Sequence, residues 1–354
     1  MLKAENQHSN LDDFNKVGDY QSIEIEECFL DDFKLDGYHC FMKTRVSGVK
    51  IIASGSAISG NAVSNADLRP DTAEWVDSRL GIVERQHLKM SDLLIDLIED
   101  ASLKALRAGG VDASQLTAIV IATSTPDFVN PSMAAILHGR LKASSDCASF
   151  DLQAVCAGFV YGLSTIASMI AAGAGKYFLL VGADQFSKIT DFEDRNCVFF
   201  GDAAAAILIE STDDDNFIAV ELHSEGSGWE SFHTSHEKGT FFMNAKEVSQ
   251  NATTKLPTSI RSICSYAGIE PKDVSLYVTH QPSKPVLDSL EASLSLEPGK
   301  LLRNIKYRGN TAGATIPLLF DEMDVINKAK KGDYICFSAI GSGWVWGSAI
   351  LKWA

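Results

Sequence analysis

The sequence predicts a layered α/β fold built from two similar halves. Two observations carry this expectation. Strand-like runs that are apolar on both faces alternate with helical segments through most of the chain, the pattern of sheets covered by helices on both sides. In addition, GVDASQLTAIVIAT from Gly110 lines up with GIEPKDVSLYVTH from Gly268, and GKYFLLVGAD from Gly175 lines up with GDYICFSAIG from Gly332. An internal repeat of this kind indicates one βα arrangement used twice.

The elements follow in order. Residues 1–46 are acidic and polar without strong periodicity, so they read as an N-terminal extension of unreadable role. The first convincing strand is Val49 to Ala53. A helix from Leu93 to Ala108 is closed by Gly109-Gly110, and an apolar strand follows from Ala118 to Ala122. A helix from about Ser132 to Leu141 leads to a strand ending near Val155. A small-residue buried helix then starts at Cys156, and strands follow at Tyr177 to Val181 and Ala204 to Ile209. The acidic stretch Asp213-Asp214-Asp215-Asn216 reads as a solvated join, giving halves of 47–212 and 213–354. In the second half, strands are expected at Leu276 to Thr279 and Tyr334 to Phe337. The sheet is expected to be mostly parallel.

Composition narrows the function. The 354 residues are 45% hydrophobic and 22% charged, an ordinary globular balance. A net charge of -15 argues against nucleic acid or an anionic membrane as partner. Seven scattered cysteines without a CxxC pair fit free thiols in a reducing compartment, and no stretch reads as a secretory signal or a membrane span. A cytoplasmic protein is expected.

Three residues stand where chemistry is usually placed. Cys156, in DLQAVCAGFVYGL, follows a strand at the first turn of a helix, where amide groups and the helix dipole favour a thiolate nucleophile. An inert buried cysteine is the plainer alternative. His280 ends a strand and enters the loop Gln-Pro-Ser, where α/β folds carry functional groups, although a satisfied structural histidine fits as well. Asn310, in YRGNTAGATIP, either donates a hydrogen bond into a cleft or caps the next helix. The run GSGWVWG from Gly341 brings glycine backbone close to a neighbour, and its amides suit an oxyanion. His233 and His236 lack further ligands nearby, so no metal site is expected.

Taken together, these segments resemble the ketoacyl-acyl-carrier-protein synthase III family from about Val49 to the C-terminus. DLQAVCAGF is similar to the family's nucleophile segment, FFGDAAAAILIE to its FGDGAGA strand, and THQPS to its HQAN. GNTAGATIP resembles GNTSAASIP, GSGWVWG resembles GGGxxWG, and DTAEWVDSRLGIVERQ resembles TSDEWIxxRTGIRER. The resemblance implies a thiolase-like, five-layered αβαβα fold and a homodimer. It implies a catalytic triad of Cys156, His280 and Asn310, with backbone amides of Cys156 and Ser342 as the oxyanion site. It further implies that an acyl-CoA primes Cys156 and that a malonyl thioester, on an acyl carrier protein or CoA, extends it by decarboxylative condensation. No cofactor is implied beyond CoA as part of a substrate. Trp75 and Arg79 would line the CoA entrance, and Arg195 would add charge.

Four departures from the family pattern point to a reshaped pocket or another carrier, as in specialised-metabolite relatives. Pro282 and Ser283 replace Ala and Asn, and Ser283 stands where the family holds pantetheine. Pro285 replaces a basic residue used for carrier docking. Asn130 stands where a phenylalanine from the dimer partner closes the acyl pocket, and Ile340 replaces a phenylalanine beside the oxyanion loop. Two other readings compete: a member that moves an acyl group to a non-carbon acceptor, and a partner subunit of a hetero-oligomeric synthase. Asn310 counts against the first and Cys156 against the second.

Overall fold

The computed structural model describes residues 42–58 and 60–354. The strands that matter are β1 (Met42–Ser47), β2 (Val49–Ile58), β3 (Leu116–Ala122), β4 (Ala148–Leu152), β5 (Tyr177–Asp184), β6 (Ala203–Ser211), β7 (Phe217–Ser224), β8 (Val274–Thr279), β9 (Tyr334–Gly341) and β10 (Val345–Lys352). They form two five-stranded sheets, in the orders β2-β6-β5-β3-β4 and β1-β7-β10-β9-β8.

The repeat seen in the sequence is a repeat of structure. In the first sheet β2, β6 and β5 are antiparallel neighbours, and β5 runs parallel to β3. In the second, β7, β10 and β9 are antiparallel neighbours, and β9 runs parallel to β8. Even the parallel edge strand β4 beside β3 has a trace in the second half, a parallel bridge between Tyr277 and Leu301. The sheets are therefore mixed and not mostly parallel. Burial on both faces made the strands continuously apolar, and that burial comes from helices whatever the strand direction.

Five layers result. Helices α1 (Leu94–Gly109) and α2 (Met133–Leu141) cover the outer face of the first sheet. Helices α3 (Gly158–Ala171) and α6 (Thr315–Glu322) lie between the sheets, and α4 (Ala245–Ala267) and α5 (Lys284–Leu294) cover the outer face of the second. Side chains alternate accordingly. Ala118 and Val120 of β3 join the central core, whereas Ile119 and Ile121 pack under α1 and α2. Ile335, Phe337 and Ala339 of β9 face the centre, and Cys336 and Ile340 face α4 and α5. Each large apolar side chain buried this way contributes about 1.5–3 kcal/mol. This is the layered α/β fold of two similar halves that the sequence implied.

One boundary moves. Residues 42–46, assigned to the N-terminal extension, belong to β1, which pairs antiparallel with β7 along its whole length. Strand β1 therefore extends the second sheet, although in sequence it precedes the first. The remainder of the extension lies outside the described residues. The acidic run 213–215 is exposed between β6 and β7, as expected.

Candidate active site

Cys156 lies in a short 3-10 turn, Val155–Ala157, that feeds directly into α3, and its residue is 4% exposed. The strand before it stops at Leu152, sooner than expected. The intervening chain makes a sharp turn in which Val155, a β-branched residue, holds φ at 46°. Such residues are rarely left-handed, and the cost is tolerated where a turn must present a neighbour. A second non-glycine residue with positive φ, Ala312 at 47°, stands two residues after Asn310.

The thiol does not match its expected ionisation. Burial pushes the Cys156 pKa well above the ordinary thiol range, and the neighbouring Asp184 carboxylate adds to the rise. The amide at the turn lowers it, but by less. A helix N-terminus favours a thiolate only if desolvation does not outweigh it.

His280 follows β8, and its backbone N–H donates to the Ser338 carbonyl of β9 at 2.8 Å. The residue is 2% exposed, and its Nδ1 has no hydrogen-bond partner among the described residues. Burial pulls its pKa down to about 3, so the imidazole is neutral at physiological pH. Asn310 is held through its backbone, donating to the Phe199 carbonyl at 2.9 Å and accepting from the Gly201 N–H at 3.0 Å. Its side-chain oxygen accepts the Ala312 N–H at 2.9 Å. The oxygen thus ties down the first residue of the following turn, Ala312–Ala314, as a cap would, while α6 itself has no side-chain cap.

The glycine loop completes the arrangement. A Cβ on Gly341 would lie 2.9 Å from the Ala154 carbonyl oxygen and 3.0 Å from the Cys156 amide nitrogen, so only glycine permits this approach. Cys156, His280, Asn310, Ile340 and Ser342 all line one cavity. Its apolar wall comes from Phe199, Phe200, Phe232, Met243 and Trp344. Behind that wall the Phe186 and Phe200 rings stack with centroids 4.4 Å apart.

A second, more open cleft shares Phe199, Ala245, Ser249 and Ser283 with the first and so forms its mouth. Trp75, Arg195 and Ser283 line this mouth, together with Lys246. Arg79 does not: it sits exposed on the turn Val76–Leu80, on a face that leaves it out of the lining. Asn130 is also absent from the cavity lining. It lies in an exposed loop whose Val129 is 93% exposed and whose Phe128 is also exposed.

The sequence reading missed the contribution of α4. Ala245, Val248, Ser249 and Ala252 line the cavity from one face of that helix. Their spacing is helical, but polar residues and Pro257 obscured the pattern. Among the described residues no group of His, Cys, Asp and Glu could hold a metal, and no helix is long and apolar enough to cross a membrane.

Comparison with known proteins agrees with this geometry. Residues 150–226 match the family model for 3-oxoacyl-[acyl-carrier-protein (ACP)] synthase III, and residues 264–353 match the model for its C-terminal part. The beta-ketoacyl-[acyl-carrier-protein] synthase III of Clostridium acetobutylicum is 34% identical over 325 residues, covering 87% of this chain and 99% of that one. The Prochlorococcus marinus protein of the same name is 36% identical over 327 residues, covering 86% and 96%. The solved structure of 3-oxoacyl-[acyl-carrier-protein] synthase III from Aquifex aeolicus superposes with a TM-score of 0.83 at 34% identity, covering 86% of this chain and all of that one. With the thiolase-like layers and the motif order in place, the chain belongs to the beta-ketoacyl-[acyl-carrier-protein] synthase III family of condensing enzymes.

Proposed function

We propose that Cys156, His280 and Asn310 form the catalytic centre of an acyl-CoA-primed, decarboxylative condensation. One observation carries this reading. A buried thiol, a neutral imidazole and an amide converge on a single cavity, although they come from three separate segments in the two halves.

In the first half-reaction the Cys156 sulfur attacks the thioester carbonyl of an acyl-CoA. The carbon–sulfur bond to CoA breaks, and CoA leaves with the thiol proton. The backbone amides of Cys156 and Ser342 stabilise the tetrahedral oxyanion. The raised thiol pKa makes proton removal part of the attack, since a preformed thiolate is scarce in the dry site. In the second half-reaction a malonyl thioester binds with its thioester oxygen against the His280 imidazole and the Asn310 side-chain NH2. Loss of carbon dioxide leaves an enolate that these two donors stabilise, and its carbon attacks the acyl-Cys156 carbonyl. The product is a 3-ketoacyl thioester and free Cys156. A neutral His280 suits this role, because it donates a hydrogen bond without a proton to give away first. The closed apolar wall keeps water from hydrolysing the acyl-enzyme.

Trp75, Arg195 and Lys246 at the mouth suit an anionic nucleotide, with Ser283 along the pantetheine path. The chemistry needs no cofactor beyond the CoA thioester substrate. A homodimer suits the exposed Phe128–Asn130 loop, which would then reach a partner's acyl pocket. The test is to incubate the protein with a panel of acyl-CoAs and record its intact mass. A retained adduct that a malonyl thioester then discharges supports the reading, and no adduct with any acyl-CoA refutes it.

A further inference from the structure

The short strand Glu84–Gln86 runs beneath both segments that hold Asn310, and Arg85 at its centre is 0% exposed. A fully buried guanidinium is normally paired with a carboxylate, because an isolated charge is costly to desolvate. Arg85 has no carboxylate within ion-pair distance among the described residues. Its Nη2 donates to the Val198 carbonyl at 2.6 Å and to the Asn65 side-chain oxygen at 2.6 Å, and its Nη1 donates to the Val63 carbonyl at 3.2 Å. Asn65 in turn donates to Asp77, so an amide links the guanidinium to that carboxylate. Burial pulls the Arg85 pKa down to about 10, which still leaves it charged at neutral pH.

What this charge grips is the segment that fixes Asn310. Arg85 holds Val198, and its neighbour Gln86 accepts the Asp202 N–H at 2.8 Å, so residues 199–201 are pinned at both ends. Phe199 and Gly201 within that span make the two backbone hydrogen bonds to Asn310. The other flank is held by the same strand and the residue before it, since Val83 donates to the Lys306 carbonyl at 2.8 Å and Gln86 accepts from the Arg308 guanidinium at 3.0 Å. Arg85 also packs closely against both glycines that flank the Asn310 contacts. A Cβ on Gly201 would lie 3.1 Å from the Arg85 Cβ, and one on Gly309, where φ is 63°, would lie 3.3 Å from it.

We infer that Arg85 is a positioning residue for Asn310, acting through the Val198–Gly201 segment with its rigid fork of donors. A lysine at this position keeps the charge but cannot reach the Val198, Asn65 and Val63 acceptors together. The inference rests on the proposed role of Asn310 in the second half-reaction only. It predicts a selective defect. Arg85→Lys and Arg85→Met load acyl groups within about twofold of the native rate, whereas condensation falls about tenfold to a hundredfold, as expected for a small misplacement of a catalytic donor.

The experiment measures both half-reactions for each Arg85 variant, for Asn310→Ala and for the double variants, with thermal melts alongside. Arg85→Lys is read if Arg85→Met fails to fold. The double variant is expected to condense no more slowly than Asn310→Ala alone, because both changes remove the same positioned donor. Equal loss of both half-reactions, additive losses, or native condensation by Arg85→Lys would overturn the positioning role and leave the reading of Asn310 intact. Condensation that survives Asn310→Ala would overturn both.

Discussion

The side-chain oxygen of Asn310 is bound to the Ala312 N–H at 2.9 Å, and this one bond decides what the residue offers the cavity. With its oxygen engaged, the NH2 group is left as the donor. Asn310→Ala should therefore leave acyl loading within severalfold of native while condensation falls by about 10²–10³, the usual effect of losing one oxyanion donor. Asn310→Asp should be worse still, because it sets a negative charge against the developing enolate. Single-turnover assays of the two half-reactions check this. An Asp variant that condenses faster than the Ala variant would contradict it.

His280 makes a pH prediction with a definite sign. Its folded pKa, lowered by burial to about 3, lies below the value of about 6.5 expected in the unfolded chain. Between those values the unfolded state binds a proton that the native state refuses. The contribution therefore destabilises the fold progressively as pH falls from about 6.5 toward 3, and vanishes above that window. His280→Asn should lose less melting temperature than the native protein on acidification from pH 7 to pH 5. His87 is also pushed down by burial but is present in both proteins, so the difference isolates His280. Identical losses would contradict the neutral imidazole.

The Cys156 thiol should be a slow nucleophile in the unliganded enzyme. Burial and Asp184 both raise its pKa, so alkylation by a small reagent should climb with pH through the neutral range without levelling off. A plateau near pH 7 would instead reveal a resting thiolate, returning Cys156 to the helix-dipole behaviour first expected of it.

Trp344 should limit acyl length. It lines the cavity, is almost fully buried, and is anchored by a reciprocal backbone pair with Glu225 at 2.7 and 2.8 Å. The replacement of larger aromatics by Ile340 and Asn130 pointed to a reshaped pocket, and this indole occupies the wall beside Ile340. Trp344→Ala should shift loading toward longer acyl-CoAs, by up to about fourfold per added methylene at about 0.8 kcal/mol each. An unchanged chain-length profile would remove Trp344 from specificity.

Much of this was legible in the sequence for physical reasons. Sheet strands buried on both faces leave continuous apolar runs, so β3, β5, β6 and β9 could be read directly. Repeated segments with matching glycine stops exposed the two halves. Cys156, His280 and Asn310 were each ambiguous, and only the order of their motifs brought them together. Strand direction was less legible, because helices bury parallel and antiparallel strands alike. The role of β1 was hidden too, since a polar edge strand that pairs with β7 carries no periodic apolar signal. Arg79, expected beside Trp75, is exposed on the turn that follows it and stands outside the lining of the mouth. The thiol pKa was misjudged because the helix position is visible in a sequence and desolvation is not.

The central claim is that Cys156 carries the acyl group that a malonyl thioester then takes up. The most direct measurement loads the protein with acyl-CoA, maps the adduct by peptide mass, and follows its loss on adding a malonyl thioester. The expected result is one adduct, on Cys156, discharged as a 3-ketoacyl thioester and absent from Cys156→Ala. An adduct mapped to any other residue, or one on Cys156 that only water removes, would contradict the account.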